Sequence, residues 1–458
     1  MKKFFFTLLI IIFSAFFFVK YHVTNNTEFF STYKNFIPYE KRIILRALLV
    51  KINSLSIFKK DDLIFKRIKK TSLTSNNFNK KLTFYNNPTL SFSGPRAYFA
   101  SDNENLYLVT GTGVLLNARL DSLNGNLDSI NFKTIETNID DYLAEYKKNS
   151  DVFFTSTIKG VLIKNDKIFI SIIQKFKNKY NYITKKSEEC FKHAILQGNM
   201  SLDKIILDSF FVIDECRKSY NDYVGGTLAD FKDNKILYTV GDFGVCERQA
   251  YISKNNTEYC EQNNSQIMKS ALGKIFEIDI ENKSSNIISL GHDNPQGLYY
   301  NKINDIIIST EHGPMGGDEI NINRFPSKNN LKNYGYPISS YGEHYGFPDP
   351  SILFKYKNAP LYKSHKKYGF VEPVEYFLPS IGISAVNVYK NILLVASLGN
   401  DIDEGDLSLH TYDINKKFEL SNHNIFPLNQ RIRDIHVVNS INKIFLYLET
   451  NGSIVILE

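Results

Sequence analysis

The 458-residue chain has no tryptophan and only four cysteines, and no two of the cysteines stand at C-x-x-C spacing. This absence argues against a structural zinc site, because such sites commonly take their ligands from closely spaced cysteine pairs. Four cysteines allow three pairings, which the sequence alone does not distinguish. The short intervening loops favour Cys190–Cys216 and Cys246–Cys260, and free buried thiols are the alternative.

A surplus of positive charge is also absent from most of the chain, although the net charge is +7. Residues 20–81 carry 14 Lys and Arg against 4 Asp and Glu, and Lys2 and Lys3 add two positive charges, so that residues 82–458 sum to about −5. A nucleic-acid-binding protein would need a basic face on its folded body. The sequence therefore predicts no nucleic-acid partner, and it favours contact of the N-terminal arm with anionic lipid.

Charge is absent again from Phe4 to Val19, which follow Met1-Lys2-Lys3. A positive start and an apolar run are the layout of a secretory signal. The run is 16 residues long, which is short for a membrane-spanning helix of about 20 residues, and no clear small-x-small cleavage site follows. We expect residues 1–23 to be a cleaved signal peptide or an uncleaved signal anchor; a buried terminal helix is the alternative.

Residues 24–81 are predicted to be a basic spacer. Within it, residues 39–53 (YEKRIILRALLVKIN) place apolar residues at helical spacing with basic residues between them. This pattern predicts an amphipathic helix that forms a short arm on the membrane or on the body.

From residue 82 onward, short apolar strands alternate with polar turns, and one pattern of turn, strand and often glycine recurs six times. Its first strand residues are Leu106, Ile168, Ile236, Ile306, Ile392 and Ile444. Separations of 52 to 86 residues leave room for about four strands in each period. We predict an all-β fold, a six-bladed β-propeller over residues 82–458 with a longer loop region at about 324–380. A pair of β-sandwiches is the alternative.

Polar residues crowd at both ends of one strand, in the stretch GHDNPQGLYYNKINDIIISTEHGPMGGDEININ. Asn294 and Gln296 precede this strand, and Gly313 and Pro314 follow it. Proline has no N–H and glycine permits close approach, so their carbonyl oxygens are available to a hard cation such as Ca²⁺. A plain turn is the alternative.

Two further pairs of charged residues were considered as ligand-binding groups. We interpret Asp318-Glu319 as a solvated corner in preference to a cation pair. Arg431 and Arg433 in QRIRDIHV share one face of a regular strand and need an anion. A carboxylate-bearing cofactor or substrate would suit them; pairing with Asp434 or with acids of another blade is the alternative.

Several motifs together resemble the soluble quinoprotein glucose/sorbosone (aldose sugar) dehydrogenase family. They are GHDNPQGL, STEHGPMGGDEIN, NYGYP at Asn333–Pro337, PSIGIS at Pro379–Ser384, QRIRD, and GGTLADFKDNKILYTVGDFG at 225–244. The resemblance covers residues 220–450 well and 82–220 loosely. Members of that family form six-bladed propellers, which agrees with the six recurring strand patterns in this sequence.

The resemblance implies two cofactors at the mouth of the central channel. Members bind pyrroloquinoline quinone (PQQ), with Ca²⁺ bridging it to the protein. By position, Gly313 and Pro314 would supply carbonyl oxygens to the calcium, and Arg431 and Arg433 would hold the PQQ carboxylates.

The resemblance also implies a reaction, the two-electron oxidation of the anomeric hydroxyl of an aldose sugar to a lactone. Asn294 and Gln296 would face the quinone, and Tyr223 stands at the position of the family's catalytic histidine. A periplasmic or membrane electron acceptor would complete the cycle. We expect a periplasmic protein, soluble or tethered to the cytoplasmic membrane by its N-terminal segment.

Three departures from the family pattern concern the expected cofactor site. Besides Tyr223, Asp293 replaces an arginine and Gly399 replaces a lysine. Three interpretations follow: a divergent dehydrogenase with another base, a catalytically degenerate propeller that binds a sugar, an ion or a protein, or a purely structural use of the glycine corners. Substitute bases are His292, His312 and His344.

Overall fold

The computed structural model describes residues 63–75, 77–87, 96–148, 157–177, 189–217, 223–244, 263–344, 359–399 and 406–458. The predicted signal segment and the amphipathic helix at 39–53 lie outside these residues. Among the residues described, no helix is both long enough and apolar enough to span a membrane.

Short strands make up most of the described structure. They are β1 (Leu63–Thr74), β2 (Asn79–Asn86), β3 (Ala97–Ser101), β4 (Asn105–Thr110), β5 (Leu115–Arg119), β6 (Ser129–Thr137), β7 (Ile158–Lys164), β8 (Lys167–Lys177), β9 (Glu189–Asn199), β10 (Lys204–Ile205), β11 (Asp208–Val212), β12 (Gly225–Phe231), β13 (Lys235–Val240), β14 (Lys274–Asp279), β15 (Ser285–Leu290), β16 (Asn294–Asn301), β17 (Ile306–His312), β18 (Asp318–Arg324), β19 (Lys332–Asn333), β20 (Glu375–Phe377), β21 (Ile383–Tyr389), β22 (Ile392–Ser397), β23 (Ser408–Ile414), β24 (Leu420–Pro427), β25 (Ile432–Val438), β26 (Lys443–Leu448) and β27 (Ser453–Leu457). One α-helix, α1 (Ile139–Lys148), and short 3₁₀ turns at Asp121–Leu123, Asn264–Gln266, Lys366–Tyr368 and Asn439–Ile441 complete the described elements.

These strands form five sheets, built mainly from antiparallel meanders. Four sheets follow the orders β7-β8-β9-β11, β12-β13-β14-β15, β16-β17-β18-β20 and β21-β22-β23-β24, and the second of them is extended by the parallel strand β19. The ten-stranded fifth sheet carries β3-β4-β5-β6 at one end and β25-β26-β27-β2 at the other, joined through β1, while β10 pairs in parallel with β6. The fold is therefore all-β, as predicted.

The first strands of these units contact one another in a cycle. β3 contacts β7, which contacts β12; β12 contacts β16, which contacts β21; β21 contacts β25, and β25 contacts β3. Near the start of the described chain, β2 pairs with the final strand β27, with Leu82 opposite Leu457. The cycle brings segments that are distant in the sequence to a common centre.

All six recurring apolar segments of the sequence form strands, namely β4, β8, β13, β17, β22 and β26. Every residue of β4, β22 and β26 is buried, as a short continuous apolar run predicts. One core cluster joins Leu82, Leu394 and Leu446 from three different strands. The apolar runs thus supply the packed interior between neighbouring sheets.

The predicted boundary at residue 82 differs from the structure, because β1 and the start of β2 lie inside the predicted spacer. Phe65, Leu73 and Phe78 are buried there, while the lysines between Phe65 and Leu73 are exposed. The high lysine content of residues 63–81 concealed two strands whose apolar side chains enter the core.

Helix α1 was not predicted from the sequence. Its buried residues Ile139, Leu143 and Tyr146 recur at the spacing of one helix face. The Tyr146 hydroxyl donates a hydrogen bond to the Ile173 carbonyl at 2.7 Å, which fixes the helix against β8.

One of the two predicted disulfides lies within the described residues. Cys190 and Cys216 are bonded, with their Cα atoms 5.4 Å apart, which confirms that pairing. Cys246 and Cys260 lie outside the described residues, so their bond remains a prediction.

Candidate functional site

Asn294 and Gln296 lie at the start of β16 and are fixed against the neighbouring strand β12. Asn294 Oδ1 accepts hydrogen bonds from Gly225 N at 3.0 Å and from Gln296 Nε2 at 3.0 Å. The Gln296 carbonyl accepts a bond from Thr227 Oγ1 at 2.6 Å. These contacts orient both side-chain amides before any ligand binds.

Arg433, at the start of β25, lies beside this corner. Its Nη1 donates to Gln296 Oε1 at 3.1 Å, although the two residues are 137 positions apart in the chain. The structure therefore brings together the two polar clusters that the sequence analysis placed at one ligand site.

Arg431 and Arg433 share the carboxylate of Glu449, which follows β26. Arg433 forms a close ion pair with it through Nε and Nη2, and Arg431 Nε lies 3.7 Å from Glu449 Oε1. Arg431 Nη1 donates to the carbonyls of Leu398 and Gly399 at 2.8 and 3.0 Å. Both arginines therefore approach the same carboxylate, although Arg431 precedes β25 and the register of β25 shifts between Ile432 and Asp434.

The acid that pairs with the arginines is not Asp434. The Asp434 carboxylate accepts backbone hydrogen bonds from Phe99 N at 2.6 Å and Ile435 N at 3.0 Å. The alternative pairing with Asp434 is therefore corrected to Glu449, which directly follows the adjacent strand β26 of the same sheet. Sequence spacing gave no sign of Glu449, because its position depends on the antiparallel register of β25 and β26.

A third arginine, missed in the sequence, joins this group. Arg96 Nε lies 3.9 Å from Glu449 Oε2. Burial raises the pKa of the Tyr98 hydroxyl, while Arg433 and Arg96 both oppose that shift, which places Tyr98 near the same charges. Arg96 immediately precedes β3, as Arg431 immediately precedes β25. The position of an arginine directly before the first strand of a sheet unit, shared with Arg431, is the sequence signal that would have identified Arg96.

Gly313 and Pro314 form a tight turn after β17. The Pro314 carbonyl accepts a hydrogen bond from Gly317 N at 2.9 Å, and a Cβ on Gly342 would lie only 2.6 Å from the same oxygen. Within the described residues, no group of three or more His, Cys, Asp and Glu side chains is arranged to hold a metal.

Asp318 and Glu319 are not a solvated corner, which corrects the sequence interpretation. They are 1% and 5% exposed. Asp318 accepts hydrogen bonds from Ser380 Oγ at 3.0 Å, Ile381 N at 3.1 Å and Ile383 N at 2.8 Å. The loop before β21 folds over the start of β18 and supplies these donors.

Glu319 belongs to a row of buried polar side chains that we call the buried ladder: His292, Glu311, Asn321, Glu319 and His365. Asn321 Nδ2 donates to Glu311 Oε1 at 2.7 Å and to Glu319 Oε2 at 3.1 Å. His292 Nδ1 lies 3.2 Å from Glu311, and His365 Nε2 lies 3.1 Å from Glu319. Burial raises the pKa of Glu319. Burial lowers the pKa of His365, but the Glu319 carboxylate outweighs it, and the net shift is upward.

The three histidines considered as substitute bases have different surroundings. His292 is enclosed in the buried ladder, and His344 Nε2 is bonded to the Ala359 carbonyl at 2.6 Å. The His312 side chain is 22% exposed. Burial lowers the pKa of His312; Asp318 opposes this shift, and all three arginines of the Glu449 group add to it. His312 therefore stands in the positive field of the candidate site.

Tyr223 stands at the head of β12, two residues before Gly225, whose N–H bonds to Asn294. The Tyr223 carbonyl accepts a hydrogen bond from Phe243 N at 2.7 Å. Asp293, which precedes Asn294, is 1% exposed. Tyr223 and Asp293, two of the three residues that depart from the family pattern, thus lie next to the Asn294–Gln296 corner. The carbonyl of the third, Gly399, accepts a hydrogen bond from Arg431.

The sequence profile of the Glucose / Sorbosone dehydrogenase family matches residues 170–456. This match takes in more than half of the chain, including the Asn294–Gln296 corner, the glycine turn and both predicted arginines. The protein belongs to this family. The recognition made from the sequence motifs is confirmed.

Two curated relatives have sugar-dehydrogenase names. Aldose sugar dehydrogenase YliI of Escherichia coli is 37% identical over 106 residues, which are 23% of this chain and 24% of that protein. Quinoprotein glucose dehydrogenase B of Acinetobacter calcoaceticus is 29% identical over 144 residues, 28% of this chain and 29% of that one. The chain thus matches less than a third of the length of either relative.

The fold is shared more widely than the sequence. The crystal structure of soluble aldose sugar dehydrogenase from Escherichia coli, in its apo form, covers 80% of this chain and 96% of its own, with a TM-score of 0.54 and 18% identity. This likeness shows a common all-β, propeller-like fold. The chain is therefore a member of a sugar oxidoreductase family whose relatives include a quinoprotein.

Proposed function

We propose that the protein is an exported oxidoreductase that uses PQQ and Ca²⁺ to oxidise an aldose sugar to its lactone. The observation that carries the proposal is the meeting of three arginines around the single carboxylate of Glu449, beside Gln296. A group of three arginines suits an anionic ligand, and it occurs in a family that includes a quinoprotein.

The residues at the corner fit a carboxylate-bearing quinone. Arg431 and Arg433 would hold carboxylates, because the guanidinium fork matches the geometry of two carboxylate oxygens. Asn294 and Gln296 would face the quinone ring, and their amides are already oriented by hydrogen bonds. PQQ, when bound, supplies the acceptor for two electrons, while the protein positions it.

Calcium would bind at the carbonyl oxygens of Gly313 and Pro314. The Pro314 oxygen also accepts a hydrogen bond from Gly317 N, so a cation would share this oxygen with that bond. Because Ca²⁺ takes about six to eight oxygen ligands, the cofactor and water would have to supply the others. We therefore expect calcium and PQQ to bind together, so that a chelator weakens the binding of PQQ.

Tyr223 is the residue of this chain at the family's base position. An unperturbed tyrosine has a pKa of about 10 against about 6.5 for histidine, so it accepts a proton poorly near neutral pH. It precedes by two residues Gly225, whose N–H bonds to Asn294, which supports our assignment of Tyr223 to the sugar-binding side of the proposed site. We expect slow turnover in the natural protein and faster turnover once a histidine stands there.

The proposed architecture is a six-bladed propeller that closes by pairing β2 with β27. Its support is the cycle of contacts among the first strands β3, β7, β12, β16, β21 and β25. Export is supported by the apolar N-terminal run and by the Cys190–Cys216 disulfide, because disulfides persist in oxidising compartments. The proposed location is the periplasm, with a periplasmic or membrane electron acceptor and membrane contact through the N-terminus.

The experiment that tests the function uses the full-length protein with PQQ and Ca²⁺. Binding of PQQ is measured by calorimetry with and without a chelator, and turnover is followed with a redox dye on a panel of aldoses. Turnover of any aldose supports the proposal, and absence of PQQ binding contradicts it. Tyr223→His should raise turnover about a hundredfold or more near neutral pH, the low end of general-base effects.

A catalytically degenerate propeller that binds a sugar, an ion or another protein is the second candidate function. Tyr223 at the base position favours it, since the site could retain its ligand contacts without the proton acceptor. PQQ binding without turnover, in both the natural protein and Tyr223→His, would support this candidate.

A further inference from the structure

We propose that strand β1 and the start of β2 form a surface of the folded body that binds an anionic phospholipid bilayer. This surface, which we call the basic edge, comprises residues 63–81. It adds to the N-terminal membrane contact of the proposed function and does not depend on the sugar chemistry.

The basic edge combines positive charge with exposed apolar side chains. Its 19 residues include six Lys and Arg and no Asp or Glu. Ile64 and Ile68, on the same strand, are 48% and 56% exposed. The exposed basic residues are Lys66, Lys69, Lys70 and Lys81. Such a mixture suits a lipid headgroup layer, because the charges attract anionic headgroups and the apolar side chains enter the boundary with the acyl chains.

The topology of the sheet leaves this edge accessible. After Lys66, β1 pairs among the described strands with β2 alone. The register of that pairing shifts at Ile68, which marks a bulge. All residues from Ile68 to Ser72 are exposed, while Phe65 and Leu73 on either side of them are buried. The two buried side chains fix the strand to the core, and the run between them faces away from the body.

Neighbouring acids do not cancel the charge of the basic edge. Three carboxylates lie beside it, those of Asp128, Asp413 and Glu458. Against six basic residues they leave a balance of three positive charges. Residues 20–62, which precede the edge, carry eight Lys and Arg against four Asp and Glu, so the preceding chain also has a positive balance. An anionic surface is therefore a better partner for the edge than another basic segment of this chain.

Lysines on an edge strand also have a simpler use, because they discourage the pairing of edges between two molecules. That use would explain the lysines and the bulge. It does not explain Ile64 and Ile68, since exposed apolar side chains on an edge favour such pairing. An anionic bilayer accounts for both kinds of side chain.

The N-terminal segment would keep the basic edge close to a membrane. If residues 1–23 are an uncleaved anchor, 39 residues separate them from Leu63. A flexible chain of this length has a root-mean-square end-to-end distance of about 30 to 40 Å. The tether would therefore raise the effective concentration of lipid at the edge. If the segment is cleaved as a signal peptide, the edge has to bind the bilayer unaided.

Because the chain contains no tryptophan, one introduced tryptophan reports on the basic edge alone. Ile68→Trp is made in the full-length protein, and its emission maximum shows whether the indole lies in water or in an apolar layer. Ile303→Trp is the matched control, because Ile303 is 94% exposed and lies between β16 and β17 in a different sheet. Spectra are recorded without vesicles, with vesicles of phosphatidylcholine, and with vesicles that also contain phosphatidylglycerol.

We expect the emission of Ile68→Trp to move to shorter wavelength with the anionic vesicles only, and high salt should reverse this shift. Adding Lys66→Glu and Lys70→Glu should weaken the binding about tenfold or more, because lysines near the surface attract anionic lipid. The control should not shift. Melting temperatures should be unchanged, since the substituted side chains are exposed. Ile64→Trp is the second reporter if Ile68→Trp does not fold.

An equal shift on neutral and anionic vesicles overturns the proposal, as does the absence of a shift for both reporters. Emission at short wavelength without vesicles would overturn it in favour of another segment of this chain. A shift that depends on protein concentration would overturn it in favour of a second copy. PQQ binding and turnover are measured separately, so either proposal can fail while the other stands.

Discussion

Two polar clusters meet at the Asn294–Gln296 corner, and they differ in how their charges are matched. In the buried ladder, Glu311 faces His292 and Glu319 faces His365, with Asn321 donating to both carboxylates. In the other cluster, which we call the arginine cluster, Arg96, Arg431 and Arg433 surround the single carboxylate of Glu449. Pro295 at the corner lies opposite Glu311 in the sheet, so the two clusters are neighbours.

From this difference we expect the ladder to stabilise the fold and the arginine cluster to bind the proposed ligand. Buried polar groups persist in native proteins when they find partners, and in the ladder each carboxylate contacts an imidazole and the Asn321 amide. In the arginine cluster, Arg433 bonds directly to Glu449, whereas the Nε atoms of Arg431 and Arg96 lie 3.7 and 3.9 Å from that carboxylate. Changes in the ladder should therefore act on stability, and changes in the arginine cluster should act on ligand affinity.

The largest effect on stability is expected from Glu311→Ala. It removes the acceptor shared by His292, Asn321 and the Asp293 N–H, and breaking a buried pair costs about 3 to 5 kcal/mol. Urea unfolding of the variant measures the loss. The exposed Glu281→Ala is the matched control and should stay within about 0.5 kcal/mol of the natural protein. A loss below about 1 kcal/mol for Glu311→Ala would contradict the structural role of the ladder.

The second-largest expected effect is a pH dependence of the free energy of unfolding, which arises from His365 in the buried ladder. Because the folded-state pKa of His365 is raised above 6.5, its stabilising contribution is complete below pH 6.5 and is lost as the pH rises through the raised value. The slope is at most about 1.4 kcal/mol per pH unit. The guanidiniums of the arginine cluster stay charged throughout this range and contribute no slope.

The measurement is the free energy of unfolding from pH 6 to pH 9 for the natural protein and for His365→Gln. The difference between the two proteins should shrink as the pH rises above 6.5. A difference that grows with pH would mean that His365 is buried in its neutral form, and the charge matching of the ladder would then be wrong.

The sequence was informative where a feature depends on local pattern. The six apolar strands follow from continuous hydrophobic runs, and the meeting of Gln296 with Arg433 follows from repeated units arranged in a cycle. Glu449 and Arg96 were missed because their approach depends on which strands are neighbours. Asp318 was misread because its partners come from the loop before β21, and sequence pattern does not show which loop covers which strand.

The smallest effect on stability is expected from Arg431→Gln. This variant best distinguishes the two clusters, because it should change ligand affinity and leave stability nearly unchanged. Arg431 approaches Glu449 only to 3.7 Å, and a glutamine keeps a donor for the Leu398 and Gly399 carbonyls. The free energy of unfolding should therefore change by less than about 1 kcal/mol, within the range of exposed ion pairs. The affinity for PQQ should fall at least tenfold, about 1.4 kcal/mol of binding free energy, because a carboxylate loses one of its paired guanidiniums.

Both quantities are measured on the same preparation, by urea unfolding and by calorimetry. The control is Arg119→Gln, because Arg119 forms an exposed ion pair with Asp121. A loss of stability above about 2 kcal/mol with unchanged PQQ affinity would contradict the comparison. It would assign Arg431 to the structural groups, together with the ladder.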